Sequence, residues 1–86
     1  MNIDYATLEQ DVQDGTFRTK LQEELETGFR NIRNSGERLP TASHYASQIA
    51  EIVNRDVQLN PELKYSLYQE ILLACEQARA AVVAEA

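Results

Sequence analysis

The chain has 86 residues, of which 43% are hydrophobic and 26% charged, and its formal net charge is −6. This hydrophobic content is too high for an intrinsically disordered chain. The length suits one domain with a small core. The negative charge disfavours non-specific binding to nucleic acid or anionic lipid, and the single cysteine, Cys75, excludes an internal disulfide.

The first predicted helix is short. Asp4 is suited to cap its first turn, because its carboxylate can accept hydrogen bonds from backbone N–H groups that have no partner there. Tyr5, Leu8 and Val12 recur at helical spacing and form one narrow apolar edge. Gly15 is suited to the left-handed conformation that commonly ends a helix. We expect this helix to be weakly anchored.

The second predicted helix is long and amphipathic, with Thr16 as its expected cap and Asn34-Ser35-Gly36 as its exit. An interior glycine, Gly28, lies on its apolar side and costs about 1 kcal/mol relative to alanine. We therefore expect another helix, or a bulky side chain such as a tyrosine, to approach closely there. The apolar positions are Phe17, Leu21, Leu25, Phe29 and Ile32.

The third predicted helix follows a linker over residues 35–41, which Leu39-Pro40 keeps extended. Either Thr41 or Ser43 is expected to cap it, and it should end near Arg55 or Asp56. Two alanines, Ala46 and Ala50, permit close packing. Its predicted buried face is Tyr45, Ile49, Ile52 and Val53.

The fourth predicted helix begins at Pro61, because Asn60-Pro61-Glu62 combines a cap, a proline suited to the first helical position and an acid near the positive end of the helix dipole. Its last turn has no C-cap glycine and is expected to fray. A second apolar stripe, Tyr65, Tyr68 and Leu72, runs beside the first. The first stripe consists of Leu63, Leu67, Ile71, Cys75, Ala78 and Val82.

These four segments predict an all-α fold, because no run of alternating apolar residues suggests a half-buried strand. We expect a compact bundle of two long and two shorter helices, with the last helix central and residues 1–86 forming a single helical domain. A surface helix needs only one apolar stripe. Two adjacent stripes indicate a helix that is either central in the bundle or covered by another chain.

The sequence contains no recognisable catalytic motif. His44 has neither a second histidine nor the cysteine near it, so no local zinc spacing exists, and three glycines are too few for a phosphate-binding loop. We expect no enzymatic activity, no cofactor and no metal site. The N-terminus resembles no signal peptide, and no apolar run is long enough to cross a bilayer. A cytoplasmic protein without membrane association is expected.

Arg30, Arg33, Arg38 and His44 form a candidate anion-binding cluster within an acidic chain. Arg30 and Arg33 lie on one helical face because they are three residues apart. Guanidinium groups bind carboxylates and phosphates bidentately. The alternative is that these cations merely stabilise the negative end of their own helix dipole.

The leading functional hypothesis is a small interaction or regulatory protein that contacts a protein partner, or a second copy of itself, through Tyr65, Tyr68 and Leu72. Tyrosine is enriched at interfaces, where one end of the side chain is apolar and the other is wet. One alternative is nucleic-acid binding through the arginine cluster, although nucleic acid is not the expected partner. Another is that the acidic surface imitates nucleic acid.

Overall fold

Four α-helices form the part of the chain that the structure, a computed structural model, describes: residues 7–56 and 61–85, apart from the side chains of Asn54 and Asp56. Over these ranges no strand is present, and the predicted all-α bundle of four helices is confirmed. The helices are α1 (Leu8–Asp14), α2 (Thr16–Asn34), α3 (Ala42–Asp56) and α4 (Pro61–Ala84).

Gly15 separates α1 from α2 with a left-handed backbone, φ 82°, as predicted. The Thr16 N–H donates to Asp14 Oδ1 at 2.9 Å, and hydrogen bonding with Thr16 lowers the pKa of the Asp14 carboxyl. The cap predicted at Thr16 is therefore wrong: Thr16 is the first residue of α2, and the preceding carboxylate accepts its backbone N–H. The predicted cap Asp4 and the apolar Tyr5 lie outside the described residues.

α2 ends where the sequence Asn34-Ser35-Gly36 predicts an exit, and it does so in a Schellman motif. Gly36, at φ 82°, donates its N–H to the Arg33 carbonyl at 3.0 Å, and the Glu37 N–H reaches the Ile32 carbonyl at 3.3 Å. These bonds satisfy carbonyls that have no partner within the helix. The buried side chains of α2 are Phe17, Leu21, Leu25 and Phe29, while Ile32 is half-buried.

Thr41 caps α3, because its Oγ1 accepts the backbone N–H of His44 at 3.2 Å. The buried face of α3 is Ala46, Ile49 and Val53. Ile52 was expected on that face, but its side chain is 53% exposed. Since neighbouring residues lie about 100° apart around a helix, Ile52 points away from the face on which Val53 packs.

The side chain of Tyr45, on α3, contacts α2. Its ring is half-buried and lies 5.0 Å, centroid to centroid, from the ring of Phe29. A Cβ added at Gly28 would lie 3.5 Å from the Tyr45 hydroxyl. The predicted approach of a tyrosine to Gly28 is thus confirmed.

α4 is the central helix, because it contacts each of the other three. The Arg18 Nε lies 3.0 Å from Glu70 Oε2, and Arg30, further along α2, pairs with Glu85 just beyond α4, so α2 and α4 run parallel. Leu63 of the predicted stripe is half-buried in the first turn. The buried side chains of α4 are Leu67, Ile71, Ala74, Cys75, Ala78 and Val82.

α3 runs antiparallel to α4 along the opposite flank. The Arg79 Nε donates to the Pro40 carbonyl, just before α3 begins, at 2.8 Å. Near the other end of α3, Val53 lines a groove together with Lys64, near the start of α4. Tyr65 and Tyr68, two of the residues predicted to contact a partner, line this groove.

Candidate functional site

An open groove of about 290 Å³ lies between α3 and α4. Tyr68 lines this groove and also an adjoining recess, where it faces Ala50, Ser47 and Glu51. Apolar side chains and two tyrosines therefore line the groove. Its lining residues are Ala50, Val53, Lys64, Tyr65, Leu67, Tyr68 and Ile71.

The three predicted contact residues of α4 differ in exposure. Tyr65 is 69% exposed, the largest exposure among the large hydrophobic side chains that the structure describes as exposed. Tyr68 and Leu72 are half-buried, and Leu72 packs against the core. Tyr65 is thus available for contact with another molecule, whereas Tyr68 and Leu72 also contribute to the packing of the monomer.

Two further residues of α4 extend this surface. In the described part of the chain, four large hydrophobic side chains are exposed, and three of them belong to α4: Tyr65, Leu73 at 37% and Val83 at 51%. The sequence reasoning did not assign Leu73 or Val83 to the contact surface. The spacing of Tyr65, Leu72 and Val83, seven and eleven residues apart, is a signal that could have assigned Val83 to it.

We call one part of the α4 surface the outward strip; the exposed charged residues Glu62 and Lys64 of the same helix lie outside it. Its one charged member is Glu76, and every member of the strip is described. Arg79, at its edge, is turned toward the linker and donates to Pro40. The outward strip consists of Tyr65, Gln69, Leu72, Leu73, Glu76, Ala80 and Val83.

Two arginines of the predicted anion-binding cluster hold a carboxylate of the same chain. The Arg30 Nε donates to Glu85 Oε2 at 2.9 Å and to Oε1 at 3.2 Å, and its Nη2 pairs with Oε1 as well. The Arg33 Nη1 lies 3.5 Å from Glu85 Oε2 and donates to the Val82 carbonyl at 2.9 Å. We call this arrangement the C-terminal clasp. Its hydrogen bonds lower the pKa of Glu85 and raise that of Arg30.

Arg38 and His44, the other two predicted members, are not joined to this clasp. Both side chains are exposed, and the hydrogen bonds and ion pairs of the described chain join neither of them to Arg30 or Arg33. His44 Nε2 lies 3.3 Å from Gln48 Nε2, one turn further along α3. Arg33 lies in the last turn of its own helix α2, and its guanidinium also donates to the Val82 carbonyl at the negative end of α4.

The remaining reactive groups do not converge on a pocket. Cys75 is fully buried, and burial raises the pKa of its thiol to about 11. Over residues 7–56 and 61–85, no three His, Cys, Asp or Glu side chains lie close enough to hold a metal ion. Among the described helices, none combines the length and apolar character that crossing a membrane requires.

Comparison with known proteins identifies no relative. No protein-family model matches the chain, and neither the curated proteins nor the solved structures contain a significant match.

Proposed function

We propose that this protein is a small cytoplasmic, non-enzymatic interaction module that binds a protein chain, either a partner or a second copy, through the Tyr65 side of α4. The observation that carries the proposal is the 69% exposure of Tyr65 beside the apolar groove between α3 and α4. A solvent-facing helix side normally carries charged residues. The outward strip instead carries three exposed apolar side chains and one charge.

Tyrosine at this position is well suited to binding. Its ring offers a large apolar area with few rotatable bonds, and its hydroxyl can donate to a partner carbonyl. Interface residues that contribute most to affinity are enriched in tyrosine and lie beside pockets that exclude water. Exposed Tyr65 and half-buried Tyr68 both line the groove, so a tyrosine here lies beside a pocket in the same way.

The polar groups support a role without catalysis. A nucleophilic cysteine needs an accessible thiolate, but Cys75 is buried and its raised pKa keeps the thiol protonated at neutral pH. His44 lies on the surface beside Gln48, with no described acid oriented toward it. A catalytic site requires convergent polar groups within a pocket.

Nucleic-acid binding through Arg30, Arg33 and Arg38 has less support. Two of these three guanidinium groups already contact Glu85, so a phosphate would have to displace a bidentate carboxylate. The net charge of −6 adds long-range repulsion. No geometric observation favours the acidic-mimic alternative over the tyrosine surface.

A photo-crosslinking side chain in place of Tyr65 tests the proposal. We would introduce p-benzoylphenylalanine at position 65 and irradiate the protein in an extract of its source cells at its native concentration. The matched control carries the same side chain at Glu23, which is exposed on α2. Mass spectrometry then identifies each product.

We expect a defined protein adduct, of this chain or of another protein, at position 65 and none at position 23. Adding an excess of the unmodified protein should suppress the adduct, because it competes for the same contact. Equal labelling at both positions, or no adduct at position 65, would contradict the proposed function.

A further inference from the structure

The C-terminal clasp holds a carboxylate between two arginines, and an anion of higher charge can use the same donors. We propose that Arg30 and Arg33 form a binding site for a phosphate dianion, either free phosphate or a phosphate monoester, and that Glu85 occupies this site until the dianion displaces it. This inference goes beyond the proposed function and does not involve the Tyr65 side of α4.

The position of Glu85 shows how the site holds an anion. Arg30 donates to both carboxylate oxygens, with its Nε 2.9 Å from Oε2 and 3.2 Å from Oε1. The Arg33 Nη1 lies 3.5 Å from the same Oε2. Two guanidinium groups therefore converge on one anion, and the fork of N–H donors that fits a carboxylate also fits a phosphate.

The two arginines are held independently of Glu85. Arg30 follows Phe29, which is fully buried in the core. Arg33 donates to the backbone carbonyl of Val82 at 2.9 Å, and the Val82 side chain is fully buried as well. The donors thus belong to the packed parts of α2 and α4, so they stay in place when the carboxylate leaves.

Glu85 can leave the site without disturbing the fold. It lies just beyond α4, and its backbone N–H makes a turn-type bond to the Val82 carbonyl at 3.2 Å. The side chains of Arg30 and Glu85 are 39% and 35% exposed, so a solute reaches the donors directly from water. An exposed ion pair contributes little to stability, and its loss leaves the core intact.

Charge determines which anion displaces Glu85. The two guanidinium groups carry two positive charges, whereas Glu85 supplies one negative charge. A phosphate monoester carries a charge of about −1.5 to −2 at neutral pH and three acceptor oxygens, so it matches the pair better. A nucleic-acid phosphodiester carries one negative charge, as Glu85 does, and gains nothing by the exchange.

The other negative charges of the chain weaken binding without blocking the site. Glu26 lies one turn before Arg30 on α2, but in the described chain it forms no ion pair with either arginine, and its Oε1 accepts the Gln22 amide at 3.2 Å. Physiological salt screens more distant charges beyond about 8 Å. We therefore expect a dissociation constant in the millimolar range or weaker.

NMR of the arginine Nε–H groups in the full chain tests the proposal. Inorganic phosphate is added up to about 100 mM at constant ionic strength and about pH 7.5, above the second phosphate pKa of about 6. Dimethyl phosphate, a diester with one charge, is the matched control ligand. A short neutral peptide containing phosphoserine distinguishes the two sources: tighter binding than inorganic phosphate assigns the site to a phosphorylated protein, and weaker binding assigns it to free phosphate.

Four proteins are compared, with circular dichroism confirming that each is folded. The wild type should show a weak but saturable shift of the Arg30 and Arg33 signals. Glu85→Ala should bind phosphate at least fivefold more tightly, because an internal competitor acts at a high effective concentration. In that background, Arg33→Gln should weaken binding at least tenfold, whereas Arg38→Gln, at an exposed arginine outside the clasp, should not. Arg30→Gln replaces Arg33→Gln if the latter does not fold.

Three results would overturn the proposal. The first is no saturable shift in Glu85→Ala, and the second is an equal response to dimethyl phosphate. The third is a response in Glu85→Ala with none in the wild type, which would mean that phosphate does not displace Glu85. None of these results affects the proposed contact surface, because crosslinking at position 65 measures that surface separately.

Discussion

At the residue scale, the contact between Gly28 and Tyr45 makes a stabilising substitution possible. A methyl group at Gly28 would lie 3.5 Å from the Tyr45 hydroxyl, an ordinary van der Waals distance. Alanine also has a helix propensity about 1 kcal/mol better than that of glycine. Gly28→Ala should therefore raise the free energy of unfolding by about 0.5 to 1 kcal/mol, measured by urea denaturation.

Gly36→Ala is the matched control for this substitution. Nothing lies within 4 Å of a Cβ at Gly36, but its φ of 82° is a conformation that alanine adopts at a cost of roughly 1 kcal/mol. It should destabilise the protein even though no steric clash occurs. If Gly28→Ala destabilised the protein as much as Gly36→Ala, the contact with Tyr45 would be tighter than the structure indicates.

Two leucines of α4 provide a second comparison of single residues. Leu67 is buried between the helices, whereas Leu73 is exposed on the outward strip. Leu67→Ala should lower the free energy of unfolding by about 2 to 5 kcal/mol, and Leu73→Ala by less than about 1 kcal/mol. Equal losses in denaturation experiments would mean that α4 is rotated relative to the orientation described.

At the scale of elements, the end of α4 shows how a distant contact stabilises a helix without a C-cap glycine. The sequence predicts fraying there, but Arg30 holds Glu85 and Arg33 binds the Val82 carbonyl. Glu85→Ala should therefore weaken the hydrogen-exchange protection of the last α4 amides several-fold. Glu62→Ala, at the exposed start of α4, should leave those amides unchanged.

The same clasp predicts a pH dependence with a definite sign. Hydrogen bonds from Arg30 lower the pKa of Glu85 below its usual range in the folded state. Its stabilising contribution is thus fully present above the usual carboxyl pKa and is lost as the pH falls through the lowered value. The NMR signal of the Arg30 Nε–H should shift across that acidic window in the wild type and not in Glu85→Gln. A shift of equal size in both proteins would contradict the clasp.

Helix boundaries were largely predictable from the sequence because they depend on local residues. Gly15, Gly36 and Thr41 each end or cap a helix through bonds to residues within five positions along the chain. The exposure of Ile52 was not predictable, because it depends on which side of α3 meets α4. The partner of Arg30 lies 55 residues away along the chain, and no local pattern identifies it.

The candidate site was predicted in part. Periodicity placed Tyr65, Tyr68 and Leu72 on one stripe, but it could not separate exposed Tyr65 from half-buried Tyr68, because α3 covers one flank of that stripe. The arginines were predicted to bind an anion. Their observed anion is the carboxylate of Glu85, which the helix packing brings to them.

At the scale of the whole molecule, net charge and the outward strip predict how association responds to salt. Two copies of charge −6 repel each other, and added salt screens this repulsion. The strip itself contributes no close ion pair. Where the partner of the proposed function is a second copy, its association, measured by sedimentation, should therefore strengthen between about 50 and 500 mM NaCl. Weakening over that range would indicate that ion pairs, rather than the apolar strip, hold the copies together.

The central claim is that α4 is buried on one side and presents an uncovered apolar strip on the other. Hydroxyl-radical footprinting with mass spectrometry tests it most directly, on the purified protein at about 1 µM, a dilution that disfavours weak association. Pairs of identical side chains serve as internal controls: Tyr65 should be oxidised faster than Tyr45, and Leu73 faster than Leu67. Equal rates within both pairs, or protection of Tyr65 at this concentration, would contradict the account.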